Sequence, residues 1–353
     1  MRKAGRHFLQ IPGPSAVPDR ILSAIGQQTI DHRGPDFAKV GLRALDGMKS
    51  IFKTEEHVFI YPASGTGAWE AALVNTLSPG ERVLMFETGH FATLWKKLAE
   101  KLGLKAEFIE GDWRGGADPE QIEAYLAEDK AHEIKAVCDT ISGLASIDYR
   151  HDEWGVDVTV SGSQKGLMLP PGLSFNAASA KAMAANNTAK LQRSYWDWED
   201  MVGPNKTGYF PYTPATNLLY GLNEAIDMLH DEGLDNVFAR HARHGAATRA
   251  AVRKWGLEVL CATQGQESSV LTAVKLPEGQ SADAFRATTL EHYDISLGNG
   301  LSKVADKVFR IGHLGDFNDL MLIATLAGVE MGLKQANVPH ATGGVQEAMA
   351  HLS

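Results

Sequence analysis

Lys165 and Asp139 carry the first chemical signal in this chain. Lys165 lies in Val158-Thr159-Val160-Ser161-Gly162-Ser163-Gln164-Lys165-Gly166, where a β-branched strand runs into a small polar turn. Asp139 ends the short apolar stretch Ile134-Lys135-Ala136-Val137-Cys138. A lysine partly desolvated in a glycine-lined turn is shifted toward its neutral amine, the form that condenses with a carbonyl. A carboxylate set against a pyridine nitrogen keeps that ring protonated. Together they form the pair that pyridoxal 5'-phosphate chemistry needs, so Lys165 is expected as the Schiff-base amine and Asp139 as the ring's acid. Each also has a plainer reading: a solvated lysine, and an aspartate capping the segment that starts at Thr140.

Three further groups fall at strand ends. Ser64-Gly65-Thr66-Gly67 follows an apolar strand and opens a helix, a place where hydroxyls, backbone N–H groups and the helix dipole favour a phosphate. A simple Ser or Thr cap would use the same residues. Thr88-Gly89-His90-Phe91 could set an aromatic ring over a planar cofactor, with ordinary helix packing as the rival for Phe91. Arg310, in Phe309-Arg310-Ile311-Gly312-His313, could grip a carboxylate with a two-pronged hydrogen bond, or form a surface ion pair. The histidines have no metal-ligand spacing, and His241 and His244 read as one polar helix face. No metal is expected.

Alternating strands and helices must position these groups. Strands are predicted at 57–61, 82–86, 105–109 and 134–138, with helices at 66–77, 91–102 and 119–128 between them. This alternation predicts an α/β fold with a mainly parallel sheet flanked by helices, and ligands gathered at the carboxyl ends of its strands. Beyond Lys165, a strand at 173–177, the aromatic stretch Tyr195–Trp198 as packing, and a long helix from 216 to 253 interrupted near Gly233 are expected. Short strands and two helices close a smaller C-terminal α+β domain. The predicted division is an N-terminal arm at 1–15, a large domain at 16–237 and a small one at 238–353.

Composition narrows the function. The 353 residues are 44% hydrophobic and 22% charged, as in ordinary globular proteins. A net charge of -9 without a long basic run argues against nucleic acid or an anionic membrane as the main partner. Two cysteines without Cys-x-x-Cys spacing predict a reducing compartment. The basic start leads into Ile11-Pro12-Gly13-Pro14 rather than an apolar signal, and the longest apolar stretch carries Glu330. The expected location is the cytoplasm.

Taken together, the chain resembles the class V family of pyridoxal phosphate enzymes of fold type I, in particular the aminotransferases that pass an amino group from alanine or serine to glyoxylate. The resemblance rests on Ile11-Pro12-Gly13-Pro14, Asp31-His32-Arg33, Ser64-Gly65-Thr66-Gly67, Ser161 to Gly166 with Pro170-Pro171-Gly172, Tyr212-Thr213-Pro214 and Arg310-Ile311-Gly312-His313-Leu314-Gly315, in family order over nearly the whole length. It implies that Lys165 binds the cofactor aldehyde, Asp139 pairs with the pyridine nitrogen and Phe91 stacks on the ring. Ser64, Gly65, Thr66 and Gln164 would bind phosphate, with Thr213 and Tyr209 contributed by a second subunit. Arg310 would hold the substrate α-carboxylate near Gly13. The implied protein is a homodimer with shared active sites, working on small amino acids and 2-oxo acids, serine, alanine or aspartate being possible donors. Rival readings are a lyase or desulfurase of the same class and a non-catalytic dimeric scaffold.

The chain departs from the family at one place. Relatives carry about 30 residues, roughly one βαβ crossover, between the strand resembling 134–138 and the strand bearing the aspartate, whereas here Cys138 runs straight into Asp139. A parallel sheet does not lose an internal strand cheaply. The expectation is therefore that this segment belongs to the protein and was left out of the chain, rather than deleted.

Overall fold

The structure, a computed structural model, describes residues 4–130, 134–135 and 138–353. They form two compact units: Val17–Asp231, and the N-terminal arm to Ala16 together with Glu232–Ser353. The arm supplies β1 (Phe8–Gln10). The Val17–Asp231 unit contains α1 (Asp19–Ile25), α2 (Pro35–Phe52), β2 (His57–Tyr61), α3 (Gly65–Thr76), β3 (Arg82–Phe86), α4 (His90–Lys101), β4 (Lys105–Ile109), α5 (Pro119–Glu128), β5 (Ile134–Lys135), β6 (Cys138–Asp139), β7 (Val158–Gly162), β8 (Ser174–Ala178), α6 (Ala180–Asn186) and α7 (Trp198–Asn205). It closes with α8 (Thr216–Glu232).

Local chemistry fixes the helix limits. Pro35 occupies the first turn of α2, where its fixed φ suits the helix and its missing N–H has no intrahelical partner to lose. Side chains of Asp118 and Ser179 cap α5 and α6. The break anticipated near Gly233 is real: the glycine has φ +83° and separates α8 from the next helix. α3 is apolar nearly all round, with Ala68, Trp69, Ala71, Ala72, Leu73 and Val74 buried, and it packs between strand faces and other helices. Trp198 is fully buried and stacks on Phe59 with centroids 5.2 Å apart, so this aromatic is packing.

Among the described residues, the strands of this unit form two sheets. β3 runs parallel to β4 and to β5, in the order β4-β3-β5. The other sheet has the order β2-β8-β7-β6, with β6 parallel to β7 and β8 antiparallel to both β7 and β2. The arrangement is mixed because the connection between β7 and β8, residues 163–173, is too short for the crossover that parallel neighbours need.

The strand expected at 134–138 lies partly outside the described residues. At its described ends, Ile134–Lys135 pairs with β3 and Cys138–Asp139 pairs with β7.

The unit containing Glu232–Ser353 runs α9 (Leu234–Lys254), β9 (Glu258–Val259), β10 (Leu271–Lys275), α10 (Ala282–Tyr293), β11 (Ile295–Asn299), β12 (Val308–Gly312), α11 (Asp319–Gln335) and α12 (Gly344–Leu352). Its sheet has the order β1-β11-β12-β10-β9, with β1 as a parallel edge strand against β11. His241 and His244 on α9 are buried to 1% and 0% exposure, not on a polar face as their spacing suggested. The core gathers Trp255, Phe285, Phe309 and Leu326 between sheet and helices.

Candidate active site

Lys165 stands on the short return from β7 to β8. Ser163 closes this return: its Oγ donates to the Pro170 carbonyl at 2.8 Å and accepts from the Leu173 N–H at 3.2 Å. Its backbone N–H bonds to the Leu173 carbonyl, and its carbonyl accepts from Leu169. Gly166 is required next to the lysine, because a β-carbon there would stand 2.5 Å from Ser146 Oγ and closer still to the Leu144 carbonyl. The segment that follows Asp139 is thus packed directly against the lysine turn.

Asp139 is held by two donors. The indole Nε1 of Trp69 donates to Oδ2 at 3.0 Å, and the Ile141 N–H donates to Oδ1 at 2.7 Å. No helix follows; residues 141–147 form turns and a bend, so Asp139 is not a helix cap. Solvent still reaches the residue, but its carboxyl is enclosed by protein, and this burial raises its pKa above the usual carboxylate value. The Ile141 and Trp69 donors and the Lys165 ammonium pull in the opposite direction. Lys165 is therefore near enough for its charge to act on Asp139, which brings the two first-named residues together.

The Ser64 turn meets the same edge. Ser64 precedes the first turn of α3 but its hydroxyl makes no capping hydrogen bond. The first bonds of the helix come from Gly67 and Ala68 to the Ser64 carbonyl, while the Gly65 and Thr66 N–H groups face off the helix end. A β-carbon on Gly162 would lie 3.0 Å from Gln164 Oε1 and 3.5 Å from the Gly65 nitrogen, so Gly65, Gly162 and Gln164 share one small space. Gln164 Oε1 is buried there without a hydrogen-bond partner. A rotated amide would present two N–H donors in its place. Ile141 fills the position beside Gly65 that a larger residue would need.

Phe91 opens α4 and is 51% exposed, so the packing alternative fails for this ring. It lies 6.3 Å from the Trp69 ring, which in turn stacks on Trp95 at 5.7 Å and donates to Asp139. Ser64, Gly65, Thr66, Phe91, Asp139, Gln164 and Lys165 therefore converge. Sequence reasoning missed Trp69, Ile141 and Ser163 among the residues that hold this group in place.

Tyr209 and Thr213 belong to a different loop of the same unit. Tyr209 OH donates to the Gly34 carbonyl at 3.3 Å, with its ring 6.4 Å from Phe37. Thr213 lines a small apolar recess with Tyr61, Leu173 and Phe210. In the other unit, Arg310 faces Gly298 and Ala273 across the sheet. Its Nε donates to the Asn299 carbonyl at 2.8 Å. Burial and the nearby Arg286 lower its pKa, and among the described residues no carboxylate pairs with it, against the surface ion-pair reading. Gly298 and Gly312 leave room for the arm, with a β-carbon on Gly298 standing 2.6 Å from Pro12 Cδ. Gly13, at φ +123°, continues this arm beside Arg310's strand.

Residues 127–313 match the family model described as Aminotransferase class-V. The serine–glyoxylate aminotransferase of Methylorubrum extorquens is 42% identical over 390 residues, covering 99% of this chain and 97% of that protein. The L-aspartate–glyoxylate aminotransferase of Paracoccus denitrificans is 41% identical over 377 residues, covering 97% and 95%. Both alignments are longer than the 353-residue chain, so these relatives carry residues that this chain lacks. Among solved structures, the pyridoxamine-pyruvate aminotransferase from Mesorhizobium loti superposes with a TM-score of 0.92 at 24% identity, covering 99% of this chain and 97% of that one. That likeness is one of fold.

Proposed function

The chain belongs to the class-V aminotransferases, and from that premise we propose that it transfers an amino group from serine, alanine or aspartate to glyoxylate with pyridoxal 5'-phosphate held at Lys165. The observation that carries the reading is the Asp139 carboxyl, fixed by two donors and within reach of Lys165, at the edge where the Ser64 turn meets Gln164. The donor and acceptor classes are those named for relatives at 41–42% identity.

The residues present fit the cofactor. The uncommitted Ser64 hydroxyl, the N–H groups of Gly65 and Thr66, and the amide of Gln164, whose Oε1 is buried without a partner and whose rotation would bring its NH2 there, would hold its phosphate. Asp139 would face the pyridine nitrogen, and Phe91 offers an open aromatic face. When bound, pyridoxal phosphate supplies an electron-withdrawing ring and a carbon that accepts the amino group. The amine of Lys165 would anchor it, and once free, Nζ would take the substrate α-proton and deliver it to the cofactor carbon that accepts the amino group. Asp139 keeps a negative charge opposite the ring nitrogen throughout. Arg310 binds the substrate carboxylate through its terminal nitrogens, with Gly13 keeping the arm beside it narrow. Tyr209 and Thr213 complete the phosphate site of a second subunit, which makes the working form a homodimer. No described helix is long and apolar enough to cross a membrane, and the cytoplasm is the compartment we assign.

A spectrum tests the reading. Protein purified with pyridoxal phosphate is expected to be yellow, to bleach when serine, alanine or aspartate is added, and to recover with glyoxylate. Lys165→Ala is expected to lose both the colour and turnover. A colourless protein would favour the non-catalytic scaffold, for which the residues that relatives carry and this chain lacks are the motive.

A further inference from the structure

We infer that Trp69 is a positioning residue for Asp139, its indole N–H holding the carboxylate in place at the end of a short strand. The inference rests on the function proposed above.

β6 is two residues long and forms the edge of its sheet, with β7 as its neighbour among the described residues. Its ladder registers Cys138 with Thr159 and Asp139 with Val160. The Thr140 N–H adds one more bond, to the Val160 carbonyl at 3.1 Å. Ladder bonds hold the backbone of such a strand and not its side chain, so side-chain contacts must set the carboxylate's direction. Ile141 fixes Oδ1 from within the same turn and moves with it. Trp69 fixes Oδ2 from α3, a helix anchored in the core.

The indole is itself immobilised. Trp69 is 3% exposed, lies nearly parallel to Trp95 at 16° and 5.7 Å, and meets Phe91 at 6.3 Å. A rigid donor pays little rotamer entropy when it binds a carboxylate, and a hydrogen bond to a charged acceptor is among the stronger ones. α3 also carries the Ser64 turn at its start, so one helix would orient both the phosphate-binding end and the acid that faces the far side of the ring. The donor favours the ionised carboxylate, the form a protonated pyridine needs opposite it.

Two changes test this. Trp69→Phe keeps an aromatic ring against Trp95 and removes the donor. Site-specific replacement of Trp69 by benzothienylalanine changes only the N–H to sulfur, and serves if the phenylalanine variant does not fold. Pyridoxal phosphate binding is followed by the visible band over a pH series, alone and combined with Asp139→Asn. The expected result is a dissociation constant about tenfold weaker, with cofactor lost at a higher pH than in the unmodified protein. In the Asp139→Asn background the same change should weaken binding less than about twofold, since the charged acceptor is gone. An unaltered constant and pH profile would overturn the inference, as would a full tenfold effect with Asn at 139, which would mean that the ring acts by packing. An unmodified protein that takes up no cofactor would instead overturn the proposed function, and this inference with it.

Discussion

Arg310 keeps its terminal nitrogens free of any carboxylate among the described residues, while Nε is committed to the Asn299 carbonyl. A cation in that setting gains from an anionic ligand what burial takes away. Arg310→Lys retains the charge but not the planar two-pronged donor. We expect it to raise KM for both the amino acid and glyoxylate by about 10- to 100-fold, equivalent to ~1.5–3 kcal/mol, with a smaller change in kcat. Steady-state kinetics checks this, and an unchanged KM would remove Arg310 from the substrate site. Arg310, Lys165, Asp139 and Ser64 were legible in the sequence because each combines a strongly typed side chain with a strand end or a small-residue turn. Trp69 was not legible. On a helix as apolar as α3 a tryptophan reads as core, which it also is, and the direction of its N–H is set only when Asp139 arrives from a strand seventy positions away.

At the scale of elements, the alternation of strands and helices was readable as far as α5, because each period is long enough to show its face. At 134–139 the six residues contain nothing that states which neighbour each end will pair with, β3 for Ile134–Lys135 and β7 for Cys138–Asp139. The direction of β8 could have been read from the short connection that carries Lys165. That connection also depends on contact with the segment after Asp139, and Gly166 is where the two meet. In Gly166→Ala the added carbon would meet a backbone carbonyl, Leu144 O, which cannot turn aside as a flexible side chain can. The expected loss is ~1–3 kcal/mol, read as a lower urea midpoint with weaker cofactor retention. Adding Ser146→Ala should not restore it, because the Leu144 carbonyl stays where it is. A midpoint equal to that of the parent would show that the two turns are not packed as described.

For the whole molecule, the buried histidines set a dependence on pH that no spacing in the sequence announced. His241 is satisfied as a neutral ring, with Nδ1 against the Val237 carbonyl at 2.7 Å and Nε2 accepting from the Gly315 N–H at 3.2 Å. His313 meets Thr272 Oγ1 at 3.0 Å. Burial lowers His241 to about 4 and His313 to about 3. His244 is also lowered by burial, although Asp319 favours its charged form, and the cations Arg240, Arg243 and Arg249 stand around the group. An unfolded histidine titrates near ~6.5, so below that value the unfolded chain binds protons that the folded chain refuses. Stability must then fall as pH falls from ~6.5 toward the folded values. The paired carboxylates act in another window: Arg150 and Lys53 hold Asp148 at about 2, so its contribution stays intact above the ordinary aspartate value and is lost only in stronger acid. Between pH 7 and pH 5 the histidines therefore dominate, and His241 and His313 should each remove about 2 kcal/mol by pH 5. Urea unfolding at the two pH values measures the difference. Equal stabilities at pH 7 and pH 5 would mean that these imidazoles take up protons in the folded protein as readily as in the unfolded one, and that they are not buried as described.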